Sequence, residues 1–440
     1  MLPVIAIVGR PNVGKSTLFN AFTKSRNAIV ADMPGVTRDR QYGHATYDDK
    51  PLIVIDTGGV GEALPQDIDQ LMAGQSWQAT EEADVILFLV DAKAGLTPAD
   101  TEIAGRLRQL KKPLILVVNK TDGLDESIAM ADFYQIGFAN VVCIAASHRR
   151  GTSSLLAEAA SLLPEPDVAS EAPEKGVKIA VIGKPNVGKS TLVNRLLGEE
   201  RVVVCDHPGT TRDSIFIPYT RRDKPYTLID TAGVRRRKNI KEAVEKFSII
   251  KALQAVESAN VVVFLIDARE NITEQDLKLL GYVLQAGRAL VIAVNKWDNL
   301  SIETKDRIHS ELDRRLVFID YARIQFISAK HGTGVGDLYQ YIDEAYSAAF
   351  REIKTPEVNR VLSEAIKQHQ PPMKNGRRIK IRYAHIGGHN PPIIVLHGNQ
   401  LTKLPDAYRR YLTKTFREAF NMMGTPIRLE LRTTDNPYNK

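Results

Sequence analysis

Only two cysteines, Cys143 and Cys205, occur in 440 residues, and they lie far apart with no ligand-like spacing. A disulfide framework and a zinc module are therefore not expected, and a reducing compartment fits best. No apolar run approaches the roughly 18 residues of a membrane span. Nor does Met1-Leu2-Pro3, which leads straight into Val4 to Val8, resemble the basic, apolar and cleavable order of an export signal. A cytoplasmic monomer with no transmembrane segment is expected. Disorder and low complexity are missing too, since 43% hydrophobic and 25% charged residues sit near globular averages. At roughly 150 residues per domain, the length suggests about three domains.

Charge is unevenly spread. Residues 1–165 hold 15 Lys/Arg against 20 Asp/Glu, residues 166–354 hold 29 against 26, and residues 355–440 hold 15 against 6. The net charge of +7 thus comes from a basic C-terminal region, which would attract a polyanion such as nucleic acid or an anionic membrane surface. A merely soluble basic surface is the plain alternative.

The strongest signal is an internal repeat. Ile5 to Leu18 recurs almost unchanged at Ile179 to Leu192, an offset of 174 residues that also carries Asp56-Thr57-Gly58-Gly59 onto Asp230-Thr231-Ala232-Gly233. A slightly longer offset carries Asn119-Lys120-Thr121-Asp122 onto Asn295-Lys296-Trp297-Asp298. A whole domain is duplicated. Within each copy, apolar β-branched runs (Val85 to Val90, Leu114 to Val118, Val261 to Ile266, Leu290 to Val294) alternate with helical stretches. Such runs suit strands buried on both faces, so each copy is expected to be a doubly wound α/β domain with a mostly parallel sheet. The expected organisation is a first domain over 1–163, a Pro- and Glu-containing linker over 164–176, a second domain over 177–354 and a small α+β domain over 355–440. In the last, helices over Glu357 to His369 and Pro405 to Met422 and strands over Ile379 to His385, Pro392 to His397 and Pro426 to Arg432 give the order αββαβ.

Gly9-Arg10-Pro11-Asn12-Val13-Gly14-Lys15-Ser16-Thr17 and Gly183-Lys184-Pro185-Asn186-Val187-Gly188-Lys189-Ser190-Thr191 each follow an apolar strand and open a helix, the context of a phosphate-binding loop. Glycines let backbone N–H groups converge on phosphate oxygens, and the helix N-terminus adds a positive dipole end. Lys15 or Lys189 supplies a full charge to the β- and γ-phosphates. Ser16 and Ser190 are expected magnesium ligands. Asp56 and Asp230 could hold a magnesium-bound water, while Gly59 and Gly233 leave room for an N–H to meet the γ-phosphate. Thr37 and Thr211 are the loop threonines placed to close over γ-phosphate and magnesium. Loss of the γ-phosphate would release these loops, as in a switch.

Base choice rests on Asn119-Lys120-x-Asp122 and Asn295-Lys296-x-Asp298, each directly after an apolar strand. A carboxylate there can accept two hydrogen bonds from N1–H and the exocyclic amine of guanine. Adenine has no matching donors and would leave the carboxylate unpaired, at a cost of about 1–3 kcal/mol. Alone, each tetrapeptide could be a surface turn; their repeated position favours two GTP/GDP sites. Ile327-Ser328-Ala329-Lys330 follows in the second copy, but Ile144-Ala145-Ala146-Ser147 in the first lacks the serine hydroxyl. Base choice survives if the N–H of Ala146 or Ala329 meets guanine O6.

Two tandem Gly-x-Pro-Asn-Val-Gly-Lys-Ser modules followed by a small basic domain resemble the bacterial Der (EngA) GTPase family. The likeness covers essentially the whole chain and includes Pro391-Pro392, Tyr408-Arg409-Arg410-Tyr411-Leu412 and Gly424-Thr425-Pro426-Ile427-Arg428 near the end. It implies a KH-like fold for the last domain and a role in assembling the large ribosomal subunit, whose RNA would be the partner. A regulatory module with one non-hydrolysing copy, or a translation or RNA-modification factor, remains a different class of answer. Where Ras-like enzymes place a water-orienting Gln, this chain has Val60 and Val234. Similarity to potassium-stimulated GTPases with such apolar residues implies that Asn12 and Asn186 help to hold K⁺ near the phosphates; simple stabilisation of the loop is the alternative.

Arg235-Arg236-Arg237-Lys238 adjoins Gly233, and is read either as a solvated run or as a nucleotide-dependent contact with RNA or a neighbouring domain. In the C-terminal domain, Arg377, Arg378, Lys380 and Arg382 surround one strand, and Arg409, Arg410, Lys414 and Arg417 lie along a helix with Tyr408 and Tyr411. Cations beside exposed aromatics suit RNA, although those tyrosines could equally be core. No Gly-x-x-Gly follows residue 355, so ordinary KH recognition of single strands is not expected. His385, His389 and His397 have no Cys or carboxylate beside them in sequence, and metal binding is not expected of them.

Overall fold

The apolar runs become strands that are buried throughout, save for the half-buried Leu114. The structure, a computed structural model, describes residues 2–23, 42–48, 50–58, 77, 80–164, 176–198, 202–204, 216–229, 249–374 and 377–433. It divides into two compact units, one around the first domain and one from residue 171 onward. Of the expected linker, residues 165–175 lie outside the described residues.

In the first unit β1 (Val4–Val8), β2 (Tyr42–Tyr47), β3 (Lys50–Asp56), β4 (Val85–Asp91), β5 (Leu114–Asn119) and β6 (Val141–Cys143) form one sheet in the order β2-β3-β1-β4-β5-β6. Only β2 runs antiparallel. Helices α1 (Lys15–Thr23), α2 (Pro98–Gln109), α3 (Glu126–Ala131) and α4 (Thr152–Ser161) provide the crossovers. The second unit repeats the plan with β7 (Val177–Ile182), β8 (Val202–Val204), β9 (Phe216–Arg221), β10 (Lys224–Ile229), β11 (Val261–Asp267), β12 (Ala289–Asn295) and β13 (Arg323–Phe326), ordered β13-β12-β11-β7-β10-β9-β8. Its helices are α5 (Lys189–Leu197), α6 (Ile249–Ser258), α7 (Glu274–Ala286), α8 (Ile302–Arg315) and α9 (Val335–Ala349). The doubly wound expectation holds in both, with an antiparallel edge that the sequence reading did not specify. Alternation explains the two-sided burial: Ile179, Val181, Val261 and Val263 fill one core of the second sheet, while Ala180, Ile182, Val262 and Phe264 fill the other. Each fully buried Val, Ile or Phe contributes about 1.5–3 kcal/mol.

The helices α2 and α7 start at the same device. Thr97 and Thr273 cap them, and Asp100 and Asp276 complete reciprocal capping boxes. Both aspartates are buried.

The C-terminal residues give the expected αββαβ order as α10 (Thr355–Gln368), β16 (Lys380–Gly388), β17 (Ile393–Asn399), α11 (Asp406–Ala419) and β18 (Arg428–Thr433). A short antiparallel pair, β14 (Met373–Lys374) and β15 (Arg377–Arg378), precedes β16. Strand β17 is central, antiparallel to β16 and parallel to β18. Tyr408 and Tyr411 turn out to be structural rather than exposed RNA contacts. Tyr408 is buried and its hydroxyl donates to the carbonyl of His369 at 2.6 Å, while that of Tyr411 donates to Ala365 at 3.0 Å, pinning α11 to α10.

This last region is stitched to the second sheet. The N–H of Leu290, at the start of β12, donates to Gly424 (2.6 Å), whose own N–H donates to Tyr321 (2.7 Å). Arg417 pairs with Asp320 at 2.6 Å and lies over the Tyr321 ring at 4.7 Å. Arg417, expected among RNA-facing cations, is thus committed to an internal seam. Among the described residues no helix is long and apolar enough to cross a membrane, and no group of three or more His, Cys, Asp or Glu could hold a metal ion.

The seam yields a stability test. Gly424 has φ +77°, and a Cβ there would stand 2.5 Å from the Cβ of Ala345 and 2.9 Å from its Cα. Gly332 has φ +85°, but a Cβ there would meet only the Arg195 guanidinium, at an ordinary van der Waals distance of 3.8 Å. Gly332→Ala should cost about 1 kcal/mol, the conformational term alone, and Gly424→Ala should cost about 2 kcal/mol or more. Equal thermal unfolding shifts for the two variants would contradict the close packing.

Candidate nucleotide sites

Each phosphate loop is shaped by what lies against it. A Cβ on Gly9 or Gly183 would come within 2.4 or 2.6 Å of the carbonyl oxygen of Leu89 or Leu265. Gly14 and Gly188 have φ +101°, and a Cβ there would meet the amide nitrogen of Asn119 or Asn295 at 2.3 Å. These glycines are thus required by the protein's own packing as well as by any approaching phosphate. The loop then curls around its lysine: Lys15 Nζ donates to the carbonyl of Arg10 at 2.7 Å and Lys189 Nζ to that of Lys184 at 2.9 Å.

The side chains of Arg10 and Lys184 turn elsewhere. Arg10 Nε donates to Asp100 at 3.2 Å, and Lys184 Nζ lies 2.6 Å from Glu270 and 3.4 Å from Asp276. In both copies the second loop residue is therefore held by the carboxylate of a helix capping box. Val13 and Val187 are buried under the loop. Asn12 and Asn186 have φ +64° and +63° and exposed side chains that make no hydrogen bond among the described residues. A capping role for these amides finds no partner there.

At the phosphate end of the first site, Ser16 Oγ donates to Asp56 Oδ2 at 2.6 Å, and the N–H of Gly58 donates to Asp56 Oδ1 at 3.1 Å. The hydroxyl and N–H of Thr57 both donate to Ile7, at 2.9 and 3.2 Å, fixing the end of β3 beside β1. A hydroxyl and a carboxylate in contact form the hard oxygen set that magnesium takes. Burial lowers the Lys15 ammonium to about 8, against the opposing pull of Asp56. Thr37, Gly59, Val60, Thr211, Asp230, Thr231, Ala232, Gly233, Val234 and the Arg235 to Lys238 run lie outside the described residues.

The base end is built alike in both copies. Asn119 Nδ2 donates to Val13 O and Asn295 Nδ2 to Val187 O, both at 2.8 Å. Asn119 Oδ1 accepts the N–H of Ala146 at 3.0 Å, and Asn295 Oδ1 that of Ala329 at 2.9 Å. Guanine O6 would have to share these N–H groups with the asparagines. Lys120 and Lys296 adopt φ +66° and +63° and reach Asp91 and Asp267 at 2.7 and 2.5 Å. The sequence reading missed those aspartates. Register brings them in, since Asp91 pairs with Asn119 and Asp267 with Asn295 across adjacent parallel strands. Their repetition at the ends of two apolar strands was the available signal. Thr121 and Trp297, the variable residues, serve packing: Thr121 Oγ1 donates to Ile144 at 3.0 Å, and the Trp297 ring lies 4.2 Å from Phe326.

The two base carboxylates have different company. Lys93 donates to Asp122 at 2.8 Å and holds it below the usual carboxylate range. Asp298 is lowered chiefly by the Ser328 hydroxyl, with His331 at 3.6 Å and Arg269 at 4.0 Å adding to it. An ammonium thus stands in the first copy where the serine hydroxyl is missing.

Comparison with known proteins matches the two repeats and the C-terminal region separately. Residues 4–120 and 178–296 match the family described as 50S ribosome-binding GTPase. Residues 352–432 match the KH-domain-like C-terminal region of EngA bacterial GTPase enzymes. The GTPase Der of Hahella chejuensis is 58% identical over 439 residues, covering 100% of this chain and 93% of that one. The GTPase Der of Cellvibrio japonicus is 59% identical over 440 residues, covering 100% and 94%. Among solved structures, Aquifex aeolicus Era bound to GDP and aluminium fluoride is similar at 21% identity with a TM-score of 0.31, over 59% of this chain and 93% of that one.

The depressed Lys15 gives a pH test with a definite sign. With its ammonium near 8 in the free protein, a bound polyphosphate restores the charge, so nucleotide binding takes up a proton above that pH. Affinity of the first site for GDP should fall as pH rises from about 7 to 9. Calorimetry in buffers of different ionisation enthalpy measures the proton uptake. The same variation after Lys15→Met would refute the assignment.

Proposed function

This chain belongs to the Der (EngA) family of tandem-domain GTPases, and we propose that it acts as a two-site GTP switch in large-subunit ribosome assembly, engaging ribosomal RNA according to the nucleotide it holds. The observation that carries this reading is the seam through Gly424, Leu290, Arg417 and Asp320. It makes the basic C-terminal region one body with the second nucleotide site. The ribosome-binding family match over both repeats supports the partner. The working form would be a cytoplasmic monomer with domains over 1–163, 177–354 and 355–440 and a linker over 164–176.

In this reading Lys15 and Lys189 neutralise the β- and γ-phosphates while the loop N–H groups hold the remaining oxygens. Asp122 and Asp298 select guanine by accepting its two donors, and Ala146 and Ala329 offer N–H groups to O6. Ser16 with Asp56, and Ser190 with Asp230, would hold magnesium, joined by Thr37 and Thr211. When bound, magnesium would offset charge developing on the phosphate oxygens. Gly59 and Gly233 would sense the γ-phosphate through their N–H groups. Val60 and Val234 cannot orient water, so hydrolysis leans on charge compensation near the loop. Asn12 and Asn186, whose exposed side chains make no hydrogen bond among the described residues, would hold a potassium ion there.

Two outcomes follow. GTP turnover should be faster in K⁺ than in Na⁺ at equal ionic strength, and Asn12→Ala with Asn186→Ala should remove the difference; equal wild-type rates in the two salts would sink the potassium role. The full chain should sediment with large ribosomal particles more strongly in one nucleotide state than the other. Background-level sedimentation in both GTP and GDP would end the ribosomal reading and leave the GTPase intact.

A further inference from the structure

The C-terminal sheet has one face against the helices and another that carries rings. Ile381, Ala384, Ile394, Leu396 and Leu429 pack with α10 and α11. A bulge between Ile381 and Tyr383 resets the alternation, so that Ile381 and Ala384 share the helix side. Tyr383 and His385 are left on the opposite face. Tyr383 sits across from His397, which sits across from Arg432 on β18. The rings of Tyr383 and His397 stack at 4.3 Å and 5°, and those of His397 and His385 at 5.1 Å and 27°.

Tyr383 ends this column. It is 48% exposed, and His397 is the one ring against it among the described residues. Lys380, Arg382 and Arg432 are exposed nearby. Among the described residues Lys380 and Arg382 enter no ion pair, and Arg432 has Glu430 at 3.9 Å, beyond hydrogen-bond range. An apolar peptide would match the ring but not the cations, and a bare anion the cations but not the ring. A nucleotide unit matches both, with a base for the ring and phosphate for the guanidinium groups. Burial, His385 and Arg432 hold His397 below the usual imidazole range, which keeps the middle ring neutral at neutral pH.

We propose that the Tyr383, His397 and His385 column is a stacking site for an unpaired RNA base, with neighbouring phosphates on Arg382 and Arg432. It rests on the RNA-binding reading above and names the surface and the ligand chemistry. It also needs no Gly-x-x-Gly clamp.

The test uses the GDP-loaded full chain with a short unstructured RNA and a fully paired RNA duplex, followed by fluorescence anisotropy. Tyr383→Ala should weaken single-strand binding about 5- to 150-fold, the usual worth of one stacked base. Duplex binding and GTP turnover should stay near wild type, and Tyr383→Phe should retain single-strand affinity. Unchanged single-strand affinity in Tyr383→Ala, or equal loss on single strand and duplex, would overturn the column. So would a wild-type chain that sediments with ribosomal particles yet ignores the single strand, in which case the ribosomal reading stands. Binding to neither RNA nor particles would remove both.

Discussion

One buried side-chain amide in each repeat joins the two ends of the nucleotide site. Asn119 and Asn295 donate to the phosphate loop with one atom and accept from the base loop with the other, at 2.8 to 3.0 Å throughout. Both ends of the amide are out of water, so losing either partner would leave a buried polar group unpaired, at about 1–3 kcal/mol. The loop glycine must then lack a side chain, because the amide nitrogen occupies the place a Cβ would take. The same strand end positions Lys120 or Lys296 to meet the aspartate on the neighbouring strand. The two loops proposed to grip phosphate and to choose the base are thereby tied together, and a shift in either would be felt by the other.

That constraint explains why the residues that meet around each loop could be picked out as candidates in sequence. The loop and the Asn-Lys-x-Asp motif are short, local and tied to strand ends, so their residues could be named before any fold was drawn. Strand cores were legible for the same reason: runs apolar at every position admit few arrangements other than a covered parallel sheet. Partners that come from strand register were hidden. Asp91 and Asp267 look like ordinary strand termini until adjacent strands are paired, and Asp100 and Asp276 look like helix caps until the loop cations reach them.

The C-terminal region shows where charge and composition mislead. A helix rich in Arg, Lys and Tyr reads as a nucleic-acid face, yet Tyr408 and Tyr411 spend their hydroxyls on α10 and Arg417 spends its guanidinium on Asp320. The aromatic that stays open, Tyr383, lies on a strand whose alternation is broken by a bulge. A period-two reading without that bulge puts Tyr383 on the same face as Ile381, and so hides it in the core. One inserted residue thus decides which side chain meets solvent.

The seam also limits how a nucleotide signal could travel in the second unit. Strand β12 starts with Leu290 bonded to Gly424 and ends with Asn295 inside the nucleotide site. Parting the C-terminal region from this domain would break that bond, expose the Gly424 N–H and strip Arg417 from both Asp320 and the Tyr321 ring. Several buried polar groups would lose partners at once, for no compensating contact that a γ-phosphate could supply from the far end of a stiff strand. A switch of the size set by nucleotide exchange, a few kcal/mol at most, is better matched to carrying the two as one body. On the proposed reading, a nucleotide signal at the second site would leave the basic region joined to its domain rather than part the two.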